Sequence, residues 1–170
     1  MARERHLIRL LGFLLLAAVS CQSGGGGTNE PPPPVFSTRG VLRLADAEGQ
    51  AGATATLSLS LENPAALAGL QFDLAADPGA LTVIAAAGSA RSAGLEASFF
   101  AGGGTTRVLL ADLQGTALIA AGDGVVATLT VQIAQAASGP IDLLVRNASG
   151  VDASATTLSI GGSAAVFTVR

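Results

Sequence analysis

Ala53-Thr54-Ala55-Thr56-Leu57-Ser58-Leu59-Ser60-Leu61 alternates apolar and hydroxyl residues without a break. Successive side chains of a strand point to opposite faces, so this order puts one apolar face on a core and one polar face in water. A helix, with its 3.6-residue period, would scatter the same leucines around its axis. Val125-Val126-Ala127-Thr128-Leu129-Thr130-Val131-Gln132-Ile133 repeats the pattern. Outward from these two runs, shorter ones predict strands at Val41–Ala45, Leu70–Ala75, Leu81–Ala86, Ala97–Phe100, Arg107–Ala111, Ile141–Val145, Thr157–Ile160 and Ala165–Val169. Turn residues separate them: Glu62-Asn63-Pro64, Asp77-Pro78-Gly79, Gly102-Gly103-Gly104, Gly122-Asp123-Gly124 and Ser138-Gly139-Pro140. Nine or ten short strands between regularly spaced turns describe an all-β sandwich. The only helical contender, Asn63–Gly69, is too short for more than one turn.

The chain has 170 residues, enough for one domain plus a tail. Its one His and one Cys are His6 and Cys21. The stretch from Arg39 to Arg170 therefore lacks the residues of zinc sites, of Cys–His and Ser–His–Asp nucleophile systems and of disulfides. No catalytic residue, cofactor or metal site is predicted, and an enzyme is not expected. All nine basic residues are Arg, three of them in the first nine positions, and the net charge is −3, which argues against a nucleic-acid partner.

Residues 1–20 read as an export signal. Arg3, Arg5 and Arg9 supply a positive start, and Leu10 to Val19 an apolar stretch. That stretch is about half the roughly 20 residues a membrane-spanning helix needs. Ala18-Val19-Ser20-Cys21 resembles the lipobox of bacterial lipoproteins, with Ala18 where Leu is usual. The resemblance implies cleavage before Cys21 and lipidation of its thiol, hence an exported, membrane-anchored protein at the outer membrane or cell surface. Residues 21–38 then form a tether: Gly24 to Gly27 make a flexible joint, and Pro31 to Pro34 a stiff polyproline spacer.

The remaining motifs read as structure. Asp77-Pro78 opens a turn, and Asp73, alternating with Phe72 and Leu74, is expected on the solvent side of a strand. Gly102-Gly103-Gly104-Thr105-Thr106 lacks the Lys and the helix of a phosphate loop. Gly122-Asp123-Gly124 offers one carboxylate, too few for calcium. Phe99 and Phe100 point to opposite faces of a strand, so one is expected in the core and the other exposed; Phe72 and Phe167 fit the core.

Leu67-Ala68-Gly69-Leu70-Gln71-Phe72-Asp73-Leu74-Ala75-Ala76-Asp77-Pro78-Gly79-Ala80-Leu81, preceded by the strand and turn of Leu57–Asn63, resembles the signature stretch of cohesin domains, the modules of cellulosomes. Arg107 to Asp112, Gly122 to Val131 and Asp152 to Val169 are similar to later strands of that family, in order. The resemblance implies a nine-stranded jelly-roll β-sandwich over residues 39–170, without a catalytic site, that binds dockerin modules of other proteins through one face of a sheet. It places the partner-binding positions at Gly69, Gln71, Leu109, Asp112 and Gly115. Asn is frequent in the family at the first and Asp at the second; Gly69 and Gln71 depart from that.

Three readings follow. The first is a membrane-anchored module that docks a dockerin-type partner, linked to polysaccharide breakdown; it predicts an exposed apolar patch around Leu109, rimmed by Asp112 and Gln71. The second is a carbohydrate-binding module of the same superfamily; it predicts a linear groove or an exposed Phe99 or Phe100. Against it, the chain has no Trp or Tyr to stack on a sugar. The third is a structural envelope lipoprotein, with no such patch.

Overall fold

The computed structural model describes residues 40–170. The export signal, Cys21 and the tether lie outside the described residues. Eleven strands form two sheets: β1 (Val41–Leu44), β2 (Ala47–Gly49), β3 (Thr54–Glu62), β4 (Gly69–Ala75), β5 (Leu81–Gly88), β6 (Glu96–Gly102), β7 (Thr105–Ala111), β8 (Val125–Ile133), β9 (Gly139–Val151), β10 (Thr157–Ser159) and β11 (Ala164–Val169). Nine of them have four or more residues; β2 and β10 have three each. All ten expected strands are present within a few residues of their predicted ends, apart from the extension of β9 to Val151.

The first sheet runs β1-β3-β8-β5, and the second β2-β11-β9-β4-β7-β6, with β10 paired to β9. The chain passes repeatedly between the sheets, as in a jelly roll. The two alternating runs lie side by side at the centre of the first sheet, Leu57 opposite Leu129. Leu57, Leu59, Leu61, Leu129, Val131 and Ile133 all point into the core. Thr56, Ser58, Thr128 and Thr130 point the other way. The second sheet closes the core with Leu70, Phe72, Val108, Leu110, Leu143 and Phe167.

The strand absent from the sequence reading is β2. After β1 the chain crosses to the second sheet and runs parallel to β11, Ala47 opposite Phe167. Asp46 holds the crossing by accepting a hydrogen bond from the Val166 amide at 2.8 Å. Its run, Ala47-Glu48-Gly49, is too short to show a period. Asn63–Gly69 forms no helix: Asn63 and Leu67 pair instead with Gly122 and Ile119. Among the described residues the one helical turn, 3-10 in type, lies at Ala90–Ser92.

Candidate functional site

Gly69, Gln71 and Leu109 lie together on the outer face of the second sheet. β4 and β7 are antiparallel neighbours, with Gly69 opposite Ala111 and Gln71 opposite Leu109. On the other side of β4, Gly69 faces Val151 and Gln71 faces Ser149. Leu109 is 41% exposed although it sits mid-strand. With Gly69 lacking a side chain, these residues line a shallow, mostly apolar depression of about 350 Å³, together with Ala111 and Val151. The apolar patch expected around Leu109 is therefore present, with Gln71 in register beside it.

Asp112 does not rim this patch as expected. Its carboxylate is turned into its own loop. Oδ1 accepts from the Gln114 N–H at 2.8 Å. Oδ2 accepts from the N–H groups of Thr116 (2.7 Å) and Ala117 (2.8 Å) and from the Thr116 hydroxyl (3.0 Å). The Ala117, Gln114 and Thr116 amides, in that order, hold its pKa down at about 2. The side chain thus caps its own turn. Gly115 sits in the same loop with φ +69, a conformation that favours glycine. Leu113, beside it, is almost wholly exposed.

The expectation that Asp73 meets solvent is corrected. It does point away from the core, yet it is only 3% exposed. The reason is tertiary: β7 and β9 flank β4 and cover it. Arg107 pairs with it across the sheet, Nε to Oδ1 at 2.8 Å and Nη2 to Oδ2 at 3.1 Å. Asn147 donates from Nδ2 to Oδ2 at 2.9 Å. Asn147 stands in a β-bulge of β9 with φ +53, where Asn is better tolerated than most residues. The Arg107 bonds first, then Asn147, lower the Asp73 pKa against the opposing effect of burial.

Phe100, Arg107, Asp73 and Arg146 thus form one row across β6, β7, β4 and β9. Phe100 is 76% exposed. Phe99 points inward but lies at the sheet edge and stays partly exposed. Phe72 and Phe167 are core residues. Single-strand reading missed the row because its members lie up to 73 positions apart in sequence, from Asp73 to Arg146, and only the register unites them.

Among the described residues no three His, Cys, Asp or Glu side chains come together as a metal-binding group. A second cavity, of about 220 Å³, opens between the sheets beneath Gly102–Gly104 and is lined largely by apolar side chains such as Leu57, Leu74, Leu81 and Val131. Neither hollow gathers paired carboxylates or a nucleophile with its base.

The model of the cohesin domain family matches residues 40–169. The fold is similar to that of a cohesin module from a Clostridium perfringens family 33 glycoside hydrolase, with a TM-score of 0.67 at 16% identity, over 79% of this chain and 98% of that one. A non-cellulosomal cohesin from the archaeon Archaeoglobus fulgidus matches with a TM-score of 0.63 at 14% identity, over 78% and 92%. A type I cohesin–dockerin complex from Clostridium thermocellum matches with a TM-score of 0.64 at 15% identity, over 81% and 99%. No curated protein matches the sequence. The match over residues 40–169, with the two-sheet architecture that carries it, makes this chain a member of the cohesin domain family.

Proposed function

We propose that this protein is a non-catalytic docking module whose partner carries a dockerin-type segment. The observation that carries the reading is the exposed Leu109, in register with Gln71 and beside the bare backbone of Gly69, over a shallow apolar hollow. An exposed mid-strand leucine in a depression is the anatomy of an interface centre. Support comes from solved relatives that were captured as cohesin–dockerin complexes. Residues 1–38 add the reading of a lipid anchor on Cys21 and a spacer, at the outer membrane or cell surface; a mature N terminus at an acylated Cys21 is its check.

The experiment is a pull-down. The purified protein is immobilised and exposed to the secreted proteins of its source organism, with insoluble polysaccharides tested in parallel. Retention of a protein with paired calcium-loop repeats is expected. Leu109→Asp should abolish it while leaving thermal unfolding nearly unchanged, since Leu109 is outside the core. The exposed Phe100 keeps a second reading in view, carbohydrate binding. Retention on a polysaccharide with no protein partner would establish that reading and overturn docking.

A further inference from the structure

The centre of the outer face carries a charge that its own residues do not cancel. Arg107 and Arg146 flank Asp73 in one row. Both oxygens of Asp73 are engaged, by Arg107 and by Asn147. Arg146 reaches over β4 to the Thr105 hydroxyl, to which its Nη2 donates at 3.0 Å. Among the described residues no carboxylate lies within ion-pair distance of Arg146. Two guanidinium groups and one carboxylate leave the row one positive charge in excess.

The other acids on this face are far along the strands. Glu96 stands four residues from Phe100 on β6, and Asp142 four residues from Arg146 on β9. At roughly 3.3 Å per residue that is about 13 Å, beyond the screening length of about 8 Å at physiological salt. A partner that covers the row must therefore desolvate Arg146 with a neutral hydroxyl as its side-chain hydrogen-bond partner and with the nearby Asp73 already bonded to Arg107 and Asn147. Burying an unpaired guanidinium opposes binding, whereas a carboxylate from the partner takes two of its N–H groups at once. Phe100, at the end of the row, offers a flat apolar surface for the stem of that side chain.

We infer that Arg146 is a specificity-determining residue of the docking face and selects partners presenting an Asp or Glu opposite the Phe100–Arg107–Asp73–Arg146 row. Arg107 and Asp73 are positioning residues: their paired bonds hold the row rigid and keep Arg107 from competing for the incoming carboxylate. The inference rests on the docking reading above.

The test uses a yeast-displayed library of natural dockerin sequences in calcium, sorted separately against the full chain and its Arg146→Glu variant, with Arg146→Gln as a charge-only control. Binders of the unaltered protein should be enriched in acidic residues at their contact positions and should weaken as salt rises. Those binders should lose tenfold or more in affinity for Arg146→Glu and several-fold for Arg146→Gln. The pool selected by Arg146→Glu should carry Lys or Arg instead. Equal affinity for all three proteins, or basic residues in the first pool, would overturn the inference and leave docking intact. A library with no binder for the unaltered protein would overturn both. Arg146 is exposed, so all three proteins should melt alike.

Discussion

Asp112 accepts hydrogen bonds from the N–H groups of Gln114, Thr116 and Ala117, and its acidity follows from them. The folded chain holds its pKa at about 2, below the value of about 3.9 for an unfolded Asp. The sign is that of a depressed carboxylate. Its contribution to the loop is complete above about pH 4 and is lost as pH falls toward 2. The chemical shifts of the Thr116 and Ala117 amides should therefore titrate with a midpoint near 2. At neutral pH, Asp112→Ala should speed hydrogen exchange at these amides several-fold, and the core amides should keep their protection. Asp112 was expected to face a partner, and Asp73 to face water. Asp73 is instead buried against neighbouring strands, while the Asp112 carboxylate, at the surface, caps its own turn. The Asp112 spacing to Gln114 and Thr116 was open to reading as a turn cap; the burial of Asp73 was not, because Arg107 and Asn147 are 34 and 74 positions away.

The close contact of the last strands with β9 depends on a residue without a side chain. Gly162, just before β11, lies against β9 so tightly that an added Cβ would stand 2.0 Å from the Val145 carbonyl oxygen. Val145 in turn donates to the Ser163 carbonyl at 2.8 Å. Backbone cannot move aside as a flexible side chain does. Gly162→Ala should cost at least about 1–3 kcal/mol, the range for overpacking, and should appear as a lower midpoint of urea unfolding. Strand length also has its physical reasons. β3 and β8 were legible because each carries its own alternation over nine residues. β9 was read only to Val145, since its bulge at Asn147 and the run to Val151 break the period of two.

Three connections meet at Arg91, in the helical turn between β5 and β6. Its guanidinium donates to the carbonyls of Leu61, Ala120, Gly122 (2.6 Å) and Gly124 (3.1 Å) and to the Asn63 side chain. Asn63, itself buried, donates to the Ala65 carbonyl at 2.6 Å. One planar cation thus ties the end of β3 to the loop entering β8. A Lys, a single point of charge, cannot reach so many acceptors. Arg91→Lys should lower stability by roughly 2–4 kcal/mol, measurable by thermal unfolding, while the outer face of the second sheet, built by other strands, keeps its binding. By itself, the sequence determined the fold class, the strands of the central ladder, the core aromatic pair Phe72 and Phe167, and the family to which the fold belongs. The fold class, the strands and the core pair follow from periodicity and turn chemistry, which act between near neighbours; the family followed from the resemblance of Leu67–Leu81 to a known signature stretch. The tertiary structure alone decided that Arg146 stands in a row with Phe100, Arg107 and Asp73, that Arg91 closes three loops, and that Asp73 is buried between β7 and β9. Such contacts depend on strand register and on crossings between sheets, which the whole core sets and no single segment contains.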